Sequence, residues 1–583
     1  MDALLRDLEQ KLEQRQYDEV RQAVEQARKE RVSVMEQAFL EHLLARALHR
    51  LRPQETAQRE ELVQLWESLR ERYRRMGSAP HEVEATLSLA FCYWQTDRAR
   101  AEQLLSEAWE RVDEPQTLPL ELAQALSFCA EDWFEIEEWT LCQRLWERAL
   151  ALQEAHGADE LTLARTRYNL GVLALKQNQL QIAQTRLQEA MTVQEQRASG
   201  SLALARTLKA MGELAQRQNR TAEAQRCYQR ALEIFNANNA TNLEIAQVYL
   251  GLGELARQQQ RWDEAQNYYE HALQIIADPK AREAAQAQAG LGVVALERGE
   301  LNTAWEYLQH AGQNPRLKPL EKAQIAHELG RVAWRRGQTE EAENHLKRAL
   351  EQQQQHSDTP TNIAKTLYNL GALMLERGNL AEARNFFSKA LEIRQREAPN
   401  SLAVAHTLMG MGFIAFYEQN FAEARRLFGE ARTLYESLTA EAVDLSRAVM
   451  ALGLVAVELG ELEQAQAMLE EARRLQQESQ QQNTALYAQT LIGLGNLKLR
   501  RGEWNQAFQS YTQAGRIAEQ VSSRGLVQAQ ALVGLGNLAL RRRELQRALS
   551  YYNQAQEILQ QQAPEMPLLI QVQTNLGIVA LEL

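Results

Sequence analysis

From Leu161 onward the chain alternates two kinds of apolar stripe, each at helical spacing and each followed by a short polar turn. The first stripe is built round a glycine. Leu or Met precedes it (Leu170, Met211, Leu252, Leu291), an aliphatic residue stands two after it (Leu173, Leu214, Leu255, Val294), and a small residue three after it (Ala174, Ala215, Ala256, Ala295). These offsets fall on one helical face and predict a helix, A. The second stripe opens with Ala twelve residues after the glycine (Ala183, Ala224, Ala265, Ala304). A large apolar residue follows four later (Leu187, Tyr228, Tyr269, Leu308), and another Ala three beyond that (Ala190, Ala231, Ala272). It predicts a helix B, and the turn between the two often carries Gly, as at Gly299, Gly337, Gly378, Gly460 and Gly502.

The glycines themselves form a ladder: Gly171, Gly212, Gly253, Gly292, Gly330, Gly371, Gly412, Gly453, Gly495, Gly536 and Gly577, with successive spacings of 41, 41, 39, 38, 41, 41, 41, 42, 41 and 41 residues. A fixed period in this range means that each unit buries its apolar face against its neighbours, so the chain is expected to be all-α, one α-solenoid of about 14 antiparallel helix pairs. Glycine inside a helix costs about 1 kcal/mol relative to alanine, so its recurrence implies close approach of helix B. Prolines after Leu150 fall where a helix B should give way to the next helix A.

Leucine-glycine in helix A followed by Ala, Phe or Tyr, and Ala in helix B resembles the tetratricopeptide repeat. The period near 41 is similar to the longer variants in kinesin light chains, polarity adaptors and bacterial regulators. The resemblance is strong from Leu161 onward and weak before it. It implies a right-handed superhelix whose concave groove, lined mainly by helix A, binds a protein or peptide and scaffolds a complex. The alternative it leaves open is the sensor or regulatory segment of a larger signalling protein, a transcription regulator or repeat-gated protease, whose output domain is absent here.

Four segments are expected: degenerate N-terminal repeats forming a cap over 1–160, regular repeats over 161–280, a short repeat with a bend over 281–318, and regular repeats over 319–583. The bend is expected because the two short spacings fall together, shortening the loops around Pro279, Pro315 and Pro319. Six of the ten tryptophans crowd before residue 150, and the run Glu131 to Trp139 reads either as part of the cap or as a partner surface. The last unit stops after its helix A with its apolar stripe intact. That predicts either truncation or self-association through the C-terminal helix.

Charge narrows the partners. With 65 Lys plus Arg against 77 Asp plus Glu, the net charge of −12 argues against general binding to nucleic acid or an anionic membrane. No apolar run approaches the ~20 residues of a membrane span, and the start lacks a signal-peptide core, so a cytoplasmic protein is expected. The 4 cysteines show no paired spacing, and the 10 histidines form no zinc-ligand pattern, so neither metal nor cofactor is expected. Pairs such as Gly251 and Gly253 make G-x-G, but mid-helix and without the strand that a nucleotide loop requires. With no nucleophile elbow or paired-carboxylate motif either, no enzymatic activity is expected.

Candidate groove residues follow from the positions that the resemblance places on the concave face. Phe413, Phe416 and Tyr417, flanked by Leu375 and Val457, read as aromatic anchors or as inter-repeat packing. His327, Arg331, Trp334 and Arg335 set an aromatic plate beside two guanidinium groups, suited to a carboxylate. Asn169 and Asn369, with Arg165, Arg206, Lys209, Lys176 and Arg217 near the first, read as a backbone-binding amide among cations. Asn496 and Asn537, with Arg500 and Arg541, make a weaker patch. Two or more chemically distinct segments suit an extended or helical peptide.

Overall fold

The computed structural model describes residues 17–27, 33–51, 56–112, 119–356, 358–521 and 525–583, together with 4, 7, 8, 11 and 12. These residues form 28 helices and no strand, packed within each unit as consecutive antiparallel pairs. They divide into two compact units, Met1–Arg261 and Trp262–Leu583.

In the first unit, helix A Glu160–Lys176 pairs with helix B Leu180–Arg197, and Leu202–Arg217 pairs with Thr221–Ala237. The start of three successive A helices is set by a side-chain cap. Asp159 accepts from the amides of Leu161 and Thr162, Ser201 from Leu204 and Thr241 from Glu244, which satisfies donors the helix itself leaves open. The end is set seven residues after the ladder glycine, where the backbone turns left-handed. Asn178, Asn219, Gln260, Gln419 and Arg543 have φ between 57° and 62°, and Gly299, Gly337, Gly378, Gly460 and Gly502 fill the same offset. The turn is therefore fixed by backbone geometry in every one of these repeats, although glycine occupies only some of them.

The ladder glycines are where helix B comes closest. A Cβ built on Gly212 would lie 2.7 Å from Cε1 of Tyr228; one on Gly171 would lie 2.7 Å from Cγ of Leu187. The G-x-G pairs have the same origin. Gly251 faces the other side of Tyr228, Gly410 the other side of Phe387 and Gly534 the other side of Tyr511, so each of these rings is held between its own helix A and the next one, and Gly290 faces Tyr269.

The two short spacings are absorbed differently from the expectation. Helix B shortens to Trp262–Ile275 and Leu301–Gly312, 14 and 12 residues, against 18 in Leu380–Glu397, while the following loops are not shortened. The physical reason is proline. Asp278 and Asn314 each precede one, the α conformation is disfavoured there, and helix B ends early.

Before residue 150 the ladder of glycines is replaced by bulk and buried charge. Trp66, Trp133 and Trp146 are buried, and Trp133 packs edge-on against Trp94 and Phe91. The Glu131 to Trp139 run thus contributes to a core rather than presenting its tryptophans to solvent. On helix Val34–Leu51, His42 and Arg46 hold the buried carboxylate of Glu84 at 3.0 and 2.5 Å, and Arg50 holds Asp132 at 2.7 Å. Arg46 and His42 keep Glu84 well below the usual carboxylate range despite its burial. Cys129 and Cys142 are buried, and burial pushes the Cys142 thiol up to about 12.

Candidate functional site

Within each unit successive A helices lie side by side, and the polar side chains on that flank bond mostly to the next or the preceding repeat. In the second unit this occupies most of the expected carboxylate receptor. Arg331 on helix Pro319–Arg335 pairs with Glu297 at 2.6 Å and Glu328 at 2.7 Å. Arg335 donates to the carbonyl of Leu296 at 2.7 Å, with Glu297 at 3.5 Å, and Trp334 Nε1 donates to Glu376 at 2.7 Å. His327 contacts Thr366 Oγ1 through Nδ1 at 2.9 Å and the Asn369 amide through Nε2 at 3.2 Å, and burial lowers its pKa. The four residues do share a helix face, as the offsets predict, but both guanidinium groups already face glutamates. The signal for this was available as opposite charges, Glu297 and Arg331, one repeat apart.

Asn496 and Asn537 serve the packing of helix B. Each accepts a hydrogen bond from a buried tyrosine, Tyr511 at 2.6 Å and Tyr552 at 2.7 Å. Arg500 pairs with Glu458 at 2.5 Å, and Arg541 is exposed. Phe413 is half-buried, edge-on to Phe428, and Phe416 contacts Tyr417 and Phe421. Tyr417 is half-buried too, its hydroxyl 3.4 Å from the Gln530 amide that donates to it.

The first unit differs. Arg165 is exposed and Asn169 half-buried on helix Glu160–Lys176, and neither side chain has a hydrogen-bond or ion-pair partner among the described residues. On the next helix A, Lys209 Nζ donates to the neutral Gln247 amide at 2.5 Å; burial lowers its pKa, with Glu213 and Glu244 acting in the opposite sense. Arg206 pairs with Glu244 at 2.6 Å and Lys176 with Glu213 at 3.5 Å, while Arg217 reaches Glu213 at 2.9 Å and the Leu175 carbonyl. Three of the five basic side chains are therefore paired with two carboxylates, Lys209 bonds an amide, and Arg165 and the Asn169 amide are unused among the described residues. A partly desolvated ammonium bonded to a neutral group favours an incoming anion.

Among the described residues no cluster of His, Cys, Asp and Glu could hold a metal ion, and no helix is long and apolar enough to cross a membrane.

Comparison with curated proteins found no significant match. Among solved structures the chain is similar to a Rap protein complexed with competence and sporulation factor (12% identity, 62% of this chain and 99% of that one, TM-score 0.47). It is also similar to the apo form of RapI (16% identity, 48% and 99%, TM-score 0.41) and to BtubC (BKLC) from P. vanneervenii (22% identity, 38% and 91%, TM-score 0.32). Tetratricopeptide repeat family models match residues 244–311, 323–355, 362–437, 444–520 and 492–567. Those matches follow the helix pairs defined by the glycine ladder, and the chain belongs to the tetratricopeptide repeat family, whose arrays are scaffolds for protein interaction.

Proposed function

We propose that this scaffold holds an extended, acidic peptide segment of a partner protein along the A helices of its first unit. The observation that carries the reading is the contrast in polar commitment: Arg331, Arg335 and Arg500 are already paired with glutamates, whereas among the described residues Arg165 and Asn169 have no partner and Lys209 donates to an amide. An unused amide bonds a peptide backbone, and the excess of cations beside it takes a carboxylate. Binding to the free pair requires no intrachain ion pair to break.

An array of immobilised Asp- and Glu-containing peptides tests this directly. The strongest binder should lose about tenfold or more in affinity for the Arg165→Ala/Asn169→Ala variant by isothermal titration, and should be little affected by Arg331→Ala. Equal affinity of wild type and the double variant would sink the assignment. Self-association through the C-terminal helix belongs to the same reading, since Ile570, Ile578 and Leu581 are exposed on Pro567–Glu582. A mass that stays monomeric over a hundredfold range of concentration in light scattering would exclude it.

A further inference from the structure

The left-handed turn glycines of the second unit are not alike. Gly299, Gly337, Gly460 and Gly502 have nothing within 4 Å of a built Cβ. Gly378, at φ +88°, is buried, and its Cβ would fall against the backbone nitrogen and Cα of Met566 and 2.6 Å from the carbonyl carbon of Glu565. The segment leading into the last helix therefore crosses the turn of a much earlier repeat at a distance only glycine allows. Met566 itself is 1% exposed.

A second contact lies one repeat further along. Tyr417, at the end of helix Leu402–Tyr417, packs with the apolar cluster formed by helices Leu526–Arg541, Leu545–Gln562 and Pro567–Glu582. Its hydroxyl accepts from Gln530 at 3.4 Å, and burial raises its pKa. Neither contact belongs to the nearest-neighbour pattern that stacks one repeat on the next.

We propose that these two contacts form an intrachain clasp that holds the end of the second unit against its middle and covers Tyr417. The clasp is small: one backbone crossing, one ring and one long hydrogen bond. It can open without unstacking the repeats, and opening uncovers Tyr417 beside the half-buried Phe413 and Phe416. The aromatic anchors expected of a binding surface are then gated rather than permanently displayed. This is independent of peptide binding by the first unit.

Hydrogen exchange of the full-length chain, resolved by mass spectrometry, tests the clasp. Gly378→Ala adds both the strain of positive φ and the clash with Met566, whereas Gly337→Ala adds the strain in open space. Gly378→Ala and Tyr417→Leu should each raise exchange in 526–541 and 563–582 at least tenfold, with helices 282–355 unchanged; Gly337→Ala should affect only its own turn. The proposal is overturned if Gly378→Ala matches Gly337→Ala, if Tyr417→Leu leaves 526–541 protected, or if the rise is spread evenly over the unit.

Discussion

Replacing Gly212 by alanine isolates what the ladder glycines contribute. A new Cβ would sit 2.7 Å from Tyr228 Cε1 and 2.8 Å from its Cδ1, where carbon atoms normally rest ~3.5–4.0 Å apart. The ring would need to move by about 1 Å. It cannot do so freely, because the Cα of Gly251 bounds its other face, where a Cβ would lie 2.7 Å from Tyr228 Cζ. Helix A and helix B must then separate, at an overpacking cost of about 1–3 kcal/mol. Alanine returns about 1 kcal/mol of helix propensity, so the net effect ranges from near neutral to about 2 kcal/mol destabilising. Gly577 supplies the control: nothing lies within 4 Å of its Cβ, so Gly577→Ala keeps the propensity gain alone. Local opening of Leu202–Arg217 and Thr221–Ala237, read by hydrogen exchange, should lie about 5- to 150-fold on the unfavourable side of the propensity expectation in Gly212→Ala. If Gly212→Ala protects its helices as well as Gly577→Ala protects Pro567–Glu582, close approach is not why glycine recurs.

Gln419→Gly and Arg543→Gly relieve left-handed strain of roughly 1 kcal/mol at their turns, less the backbone entropy glycine adds, and should slow local exchange there; faster exchange would contradict the turn assignment. Arg331→Ala leaves Glu297 and Glu328 short of a cation and should cost about 1 kcal/mol in denaturant unfolding of the second unit, shrinking in high salt, whereas Arg165→Ala should leave stability unchanged. His81, stacked on Tyr73 and near His42, Arg46 and Glu84, is pushed down to about 4 by burial, with the His42 charge acting in the same direction. Because its folded pKa lies below the unfolded value near 6.5, the unfolded chain binds the proton more readily. The N-terminal helices should hold full stability above pH 6.5 and lose it as pH falls towards 4, seen in the near-ultraviolet circular dichroism of Trp66 and Trp133; a signal flat over that window would refute the burial argument.

The helix pairs were legible in the sequence because their packing uses residue identity directly: glycine and alanine at approach points, one large residue between them. The turns were half legible. Gly299 and Gly337 announce a left-handed residue, whereas Gln260 and Arg543 adopt the same conformation without a compositional sign. Helix B shortening before Pro279 and Pro315 was misread as loop shortening, since a period records total length and not how helix and loop divide it. The candidate site was legible only as a set of positions. Which residues stay uncommitted depends on partners one repeat away, such as Glu297 for Arg331 or Thr366 for His327, and periodicity within one unit does not display them. The N-terminal region read weakly because Arg46, Glu84, Arg50 and Asp132 replace part of the apolar stripe with buried ion pairs.

The rings held between consecutive A helices make the order of the units matter. Tyr228, Tyr269, Phe387 and Tyr511 each lean on a glycine supplied by the following repeat, whereas Leu308 and Leu346 are followed at that position by Glu328 and Asn369. Gly493 bounds Leu469 in the same way, whereas Phe428 and Tyr552 are followed at that position by Ala451 and Asn575, so the requirement belongs to particular junctions and not to rings as a class. Duplication or exchange of whole repeats at those junctions is thus constrained in one direction along the chain, the large side chain of one unit setting a size restriction on its successor.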